Sequence, residues 1–234
     1  MTTTAARAEA ASVEGFKPWT RPEMAARLAR DIPEGWCVNL GIGIPLLVSN
    51  FVKGREVIFQ SENGIIGMGG LQKPDELEPW LVNAGKQNVN LVTGASIVHH
   101  ADSFAIIRSG RIDVTVLGAY EVASTGDFAN WKVKGAKGGG IGGAMDLAAC
   151  AKNVFIIMEH ATRNGSPRLL DACTIPVTAR GAATLVVTNL GLFKPAGDAF
   201  ELLEIAPGVS VEEIKAATGA PVKVPADLKP VRLV

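Results

Sequence analysis

Among the residues of this chain, Glu62 has the type and setting that best fit covalent chemistry. It ends the apolar, strand-like run Ile58-Phe59-Gln60-Ser61 and opens a run of small residues from Asn63-Gly64 to Gly69-Gly70. A carboxylate at a sheet's edge, with little side-chain bulk around it, is open to a substrate. As a weak nucleophile it requires a dry, shaped site. The competing reading is a surface glutamate in a turn, because Asn-Gly favours turns. Spacing alone favours that second reading.

Two further glycine clusters stand where a ligand can approach the backbone. Gly41-Ile42-Gly43-Ile44-Pro45 follows a strand-like run and opens a helix, whose free amides suit an anion. A tight turn with no ligand explains it equally well, and Leu46 occupies the place of the third glycine in a dinucleotide fingerprint. Gly138-Gly139-Gly140-Ile141-Gly142-Gly143 does match G-x-G-x-x-G, with Glu159 downstream. The preceding Trp131 to Lys137 is a poor strand, so the nucleotide context is incomplete. On the other side, Gly142-Gly143-Ala144 starts a helix whose unpaired amides suit an oxyanion.

The elements that must position these residues alternate along the chain. Thr20 and Glu23 form a capping box around Pro22, predicting a helix that buries Met24, Leu28 and Ile32 and ends near Pro33. Strands are predicted at Trp36–Leu40, Glu56–Gln60, Val89–Thr93, Ile112–Leu117, Asn153–Met158, Ala183–Thr188 and Ala199–Ile205. Helices are predicted at Ile44–Val52, Ala101–Ser109, Ala144–Ala151 and Val211–Ala217, the last with a Ser210/Glu213 box. Alternation of this kind specifies an α/β fold, a mainly parallel sheet flanked by helices. We read residues 1–18 as a flexible leader and 19–234 as one domain, with a loose tail from Lys223.

Composition removes several classes of function. The 23 basic residues equal the 23 acidic ones among 234, so no global field draws nucleic acid or a membrane surface. No apolar run approaches membrane-spanning length, and no secretory signal is expected in Met1 to Glu14. Cys37, Cys150 and Cys173 are isolated, which fits reduced thiols in the cytoplasm. His99, His100 and His160 have no metal-ligand spacing, so no metal site is expected. His99-His100-Ala101-Asp102-Ser103 tempts a triad reading, but triad members come from distant segments. Asp102 or Ser103 is better placed to cap the following helix.

Taken together, Ser61-Glu62-Asn63-Gly64, Gly41-Ile42-Gly43-Ile44-Pro45 and Gly142-Gly143-Ala144-Met145-Asp146-Leu147 resemble the beta subunit of the class I coenzyme A transferases. The likeness runs from about Thr20 to about Pro225 and includes Asn83-Ala84-Gly85-Lys86-Gln87 and Gly126-Asp127. His99 to Phe104 is similar to the 3-oxoadipate branch, and Met158-Glu159-His160 to the succinyl-CoA:3-oxoacid branch. Asn189 departs from the aspartate usual in the family.

The resemblance implies that Glu62 is the nucleophile of a CoA transfer from an acyl-CoA such as succinyl-CoA to a 3-oxoacid such as 3-oxoadipate or acetoacetate. It implies a glutamyl-CoA thioester on Glu62 and an oxyanion site at Gly142, Gly143 and Ala144. Substrate and CoA contacts are expected at Gly41, Gly43, Asn63 and Gly64. It also implies an alpha subunit as partner and no cofactor beyond the CoA esters themselves. Two rivals remain: a nonenzymatic domain sensing a CoA ester or sugar phosphate, and a nucleotide-dependent oxidoreductase built on Gly138–Gly143.

Overall fold

The computed structural model describes residues 17–52, 54–133, 135 and 140–228. The expected leader lies outside them but for Lys17 and Pro18, as do Gly138 and Gly139 of the Gly138–Gly143 cluster.

Helix α1 (Arg21–Ala29) begins as the sequence predicts: Thr20 accepts from the Glu23 amide, and the Glu23 carboxylate accepts from the Thr20 amide at 2.7 Å. Met24, Leu28 and Ile32 are fully buried. Arg27 is buried too, its guanidinium forked onto Glu204 and bonded to Asp31 at 2.8 Å.

Thirteen strands follow among the described residues: β1 (Cys37–Leu40), β2 (Ile58–Ser61), β3 (Ile65–Leu71), β4 (Val89–Ile97), β5 (Val114–Leu117), β6 (Glu121–Ala123), β7 (Phe128–Ala129), β8 (Asn153–Met158), β9 (Leu169–Leu170), β10 (Leu185–Thr188), β11 (Gly191–Pro195), β12 (Phe200–Ile205) and β13 (Val222–Lys223). Ten form one sheet in the order β13-β12-β11-β10-β8-β5-β1-β2-β3-β4. Its centre, β10-β8-β5-β1-β2, is parallel throughout. Antiparallel hairpins extend both sides, β2-β3-β4 on one and β10-β11-β12 on the other. The central strands read as continuous apolar runs because helices cover both their faces. All four residues of β5 are buried.

A 3₁₀ helix (Ile44–Phe51) connects β1 to β2 and packs with α1. The α-helices α2 (His100–Arg108) and α3 (Ala144–Cys150) pack on each other, with α3 against β5. Right-handed crossovers put these two groups on opposite faces, since the chain moves outward from β1 to β2 and then back across to β5 and β8. A last helix, α4 (Val211–Ala217), carries the predicted Ser210/Glu213 box.

Four details differ from the sequence reading. The run of small residues after Glu62, to which the sequence reading assigns no element, is mostly β3, paired on both sides. Ile44–Phe51 forms tighter 3₁₀ turns rather than an α-helix. His99, not Asp102 or Ser103, caps α2, its Nδ1 accepting from the Ala101 amide at 3.2 Å. The expected tail starts in β13, which joins the sheet beside β12.

β4 is the outermost strand on its side, and seven of its nine residues are exposed. Leu71, Leu77, Leu91, Val92 and Ile97 are exposed on or near it, and Trp80 is 90% exposed.

Candidate active site

Glu62 sits where the parallel core meets its antiparallel flank. Ser61 pairs with Ile65, so Glu62, Asn63 and Gly64 form a three-residue hairpin loop at the C-terminal end of β2. The Gly64 amide closes the loop on the Ser61 carbonyl at 3.0 Å. Gly64 adopts φ +125°, and a Cβ there would fall 2.3 Å from the Val98 carbonyl oxygen. Only glycine fits that position. Asn63 donates its side-chain amide to the Val82 carbonyl at 2.7 Å, and Ser61 Oγ accepts from the Ala84 amide at 2.9 Å. The turn through Asn83-Ala84-Gly85-Lys86-Gln87 is thereby docked behind the loop.

Beneath Glu62 runs a polar chain through an otherwise apolar core. Asn39 of β1 donates to Glu62 Oε2 at 3.3 Å and to Gln60 Oε1 at 2.8 Å. Gln60 in turn donates to Ser103 Oγ at 2.8 Å, and Thr115 of β5 donates to Asn39 Oδ1 at 3.4 Å. All four supporting side chains are buried. Buried amides persist only when their hydrogen bonds are satisfied, and a satisfied network fixes geometry. Glu62 Oε1 accepts no hydrogen bond among the described residues.

Opposite Glu62 stands the start of α3. A Cβ on Gly143 would come within 3.6 Å of Glu62 Cγ and 3.1 Å of Phe104 Cζ, so the absent side chain lets the two walls close up. The Arg108–Asp146 ion pair, 2.7 Å, ties α2 to α3 and holds that opening in place. The amides of Gly142, Gly143 and Ala144 meet no acceptor among the described residues. The cleft between these walls measures about 460 Å³, and Gly41, Leu117, Gly118, Tyr120 and Asn130 complete it. It lies between the carboxyl ends of β1 and β5, where strand order reverses, the place at which open α/β sheets bind ligands.

Residues 21–217 match the family described as Coenzyme A transferase. The chain belongs to this family. It is 44% identical over 207 residues to the beta subunit of 3-oxoadipate CoA-transferase from Pseudomonas putida, covering 88% of this chain and 97% of that one. It is 42% identical over 200 residues to the beta subunit of succinyl-CoA:3-ketoacid coenzyme A transferase from Helicobacter pylori, covering 86% and 97%. Among solved structures, the apoenzyme of an acyl-CoA transferase from Escherichia coli O157:H7 superposes with a TM-score of 0.72 at 22% identity. That likeness covers 95% of this chain but 44% of the longer E. coli chain, and it speaks for the shared fold.

Within this coenzyme A transferase fold, the residues singled out in the sequence divide into two groups. Glu62, Gly41, Gly142, Gly143 and Ala144 all line the cleft. Asn63 and Gly64 do not; they shape the hairpin that presents Glu62. Gly43 faces a separate cavity of about 70 Å³ and caps the 3₁₀ helix at φ +89°. His99 caps α2 and His100 stacks on Phe104, so neither histidine acts as a triad member. Trp131, Lys132 and Val133 form no strand, so the nucleotide fingerprint lacks its framework. Burial pushes the Cys37 and Cys173 thiols up to about 11, so neither is a nucleophile at neutral pH.

Asn39, Gln60, Ser103 and Thr115 are site residues that the sequence reading misses. Their signal is a polar residue inside an apolar strand, as in Cys37-Val38-Asn39-Leu40, which a buried sheet tolerates only when the group is partnered. Among the described residues no cluster of three or more His, Cys, Asp or Glu has the arrangement of a metal site, and no helix is long and apolar enough to cross a membrane.

Proposed function

We propose that this chain is the beta subunit of an alpha/beta enzyme that moves CoA from an acyl-CoA donor, such as succinyl-CoA, to a 3-oxoacid such as 3-oxoadipate or acetoacetate. The observation that carries the reading is how near Gly143 stands to Glu62: a Cβ on Gly143 would lie 3.6 Å from Glu62 Cγ, and the carboxylate shares one cleft with the unused amides of Gly142, Gly143 and Ala144.

The chemistry needs no group beyond those residues and the substrates. Glu62 Oε1 attacks the donor thioester carbon, and the C–S bond breaks to leave an acyl–glutamyl anhydride and CoA thiolate. The thiolate attacks the Glu62 carbonyl carbon, which releases the donor as a free carboxylate and leaves a glutamyl-CoA thioester. The acceptor carboxylate attacks that thioester, expelling the thiolate again and forming a second anhydride. Thiolate attack on the acceptor's acyl carbon then yields the new CoA ester and regenerates the Glu62 carboxylate.

Each addition places negative charge on an oxygen opposite the amides of Gly142, Gly143 and Ala144. Losing one such donor typically costs about 3 kcal/mol of barrier. Asn39 keeps Oε2 engaged, so the glutamate presents Oε1 without rotating. Water has to be excluded, because it would hydrolyse both anhydrides. Ile42, Ile97 and Ile141 are exposed around the cleft and its hairpin, with Ile97 at 68%. An alpha subunit seated over them would supply the roof. The Pseudomonas and Helicobacter relatives, each named as one subunit of a larger enzyme, support the same assembly. The three free cysteines favour a cytoplasmic setting.

The test is to incubate the alpha–beta complex with acyl-CoA, treat it with borohydride or hydroxylamine, and map the modification by mass spectrometry. Modification at Glu62 is expected, and its appearance at any other residue sinks the assignment. A CoA-ester sensor, the rival of another class, would bind ligand and acquire no adduct at all.

A further inference from the structure

A second cleft, about 590 Å³, opens beside the first and shares Ile42, Gly118 and Ala119 with it. It is a basic cleft in a chain of zero net charge. Arg21, Arg163 and Arg168 line it. Arg21 is already neutralised by Glu159, at 3.0 Å. Arg163 and Arg168 have no carboxylate within ion-pair distance among the described residues. Arg168 is only half-exposed.

Both are held by a rigid turn. The Arg168 amide donates to the His160 carbonyl at 3.1 Å, and its carbonyl accepts from the Val122 amide at 2.9 Å. Within the turn, the Thr162 amide donates to the Ser166 carbonyl at 2.9 Å and the Ser166 amide to Thr162 Oγ1 at 3.0 Å. The guanidinia therefore extend from a fixed backbone. Guanidinium groups bind phosphate oxygens in a forked geometry, and the cleft has the size of a small-molecule site.

We propose that this second cleft is the phosphate subsite for the CoA ester, with Arg163 and Arg168 holding its phosphate groups while its thiol end reaches Glu62 across the Ile42–Gly118–Ala119 wall. The inference rests on the CoA-transfer reading. A distal carboxylate of a dicarboxylic acyl group offers the same kind of anionic oxygen. However, that acyl group is short and is tied to Glu62 during transfer, whereas the CoA arm is long enough to cross the shared wall.

The experiment uses the alpha–beta complex with Arg163→Met, Arg168→Met and the double variant. KM for succinyl-CoA is expected to rise about tenfold or more for each lost charge-assisted contact, with kcat nearly unchanged and Arg168→Lys restoring part of the loss. The succinyl ester of pantetheine, which has no phosphates of the nucleotide, should react equally well with wild type and variants. An equal penalty on the pantetheine ester, or an unchanged KM for succinyl-CoA, overturns the proposal. A penalty that tracks the second carboxylate, seen with succinyl-CoA but absent with a monocarboxylic acyl-CoA, assigns the arginines to the acyl group and likewise overturns it. Borohydride trapping at Glu62 separates the two readings. Trapping that survives in the variants without a change in CoA affinity removes the phosphate subsite alone, whereas no trapping in wild type removes the transfer reading.

Discussion

Gly143 and Glu62 are packed so closely that the backbone of one is the wall of the other's site. A methyl group on Gly143 would lie 3.6 Å from Glu62 Cγ, an ordinary contact, but 3.1 Å from Phe104 Cζ, which is too tight. Gly143 has φ −84°, so alanine meets no backbone strain there. Gly143→Ala should therefore shift the start of α3 away from Phe104 and from the carboxylate. We expect kcat to fall by tenfold to a hundredfold, about 1.4 to 2.7 kcal/mol of barrier, with little change in melting temperature. Steady-state kinetics of the alpha–beta complex check this. Phe104→Leu in the same chain should recover part of the loss by yielding the space.

Asn39 is the next point of leverage. Asn39→Asp would set a second carboxylate beside Glu62, 3.3 Å from Oε2. Losing the donor to Oε2 and gaining a like charge beside it should lower kcat for transfer by about tenfold or more, read from steady-state kinetics. Asn39→Ala instead strands the Gln60 carbonyl oxygen and should cost about 1–3 kcal/mol of stability, read from urea unfolding.

His160 sets a pH limit on the fold rather than on the reaction. Its ring nitrogens lie 2.9 Å from Thr188 Oγ1 and Thr218 Oγ1, clamping the end of β10 to the end of α4. Burial lowers its pKa from 6.5 to about 4. The unfolded chain therefore binds a proton that the folded chain refuses. The clamp's contribution is whole above pH 6.5 and declines as pH falls through that value towards 4, by at most about 3 kcal/mol. Denaturant titrations at several pH values should show this slope, and His160→Asn should flatten it.

Arg27 should be structural and catalytically silent. It joins α1 to Glu204 of β12 and to Asp31, with its guanidinium largely out of water. Arg27→Met leaves Glu204 without its partner, and breaking such a pair typically costs about 3–5 kcal/mol. A fall in thermal midpoint with normal kinetics at low temperature is expected. A loss of kcat at full stability would contradict it.

The parts of this fold that are legible in the sequence are those decided by local chemistry. Thr20 with Glu23 and Ser210 with Glu213 mark helix starts because the cap is made within four residues. Asn153–Met158 is an uninterrupted apolar strand, and the structure reproduces its bounds. Residues 65–71 are not predicted as a strand because three glycines hide one whose stability comes from pairing on both edges. Asn63-Gly64 between apolar runs is the available hairpin signal. His99 displaces Asp102 and Ser103 as the cap of α2 because Ser103 is taken up by Gln60, a contact 43 positions away. For the site, Glu62 and residues 142–144 are singled out by motif and family resemblance rather than by spacing, and the structure brings them to one cleft. The support under Glu62 depends on which strands lie side by side, and the arginine pair on a turn pinned to Val122 of β6. Neither arrangement is local.

The exposed flank of β4 bears on how this protein has to be made. The edge of β4 beyond Val89, bordered by Trp80 and several aliphatic side chains, forms a template on which a second strand can hydrogen-bond. Produced without the proposed alpha subunit, the chain offers that template to its own copies. On the proposed alpha/beta assembly, balanced synthesis of both chains would then protect against aggregation.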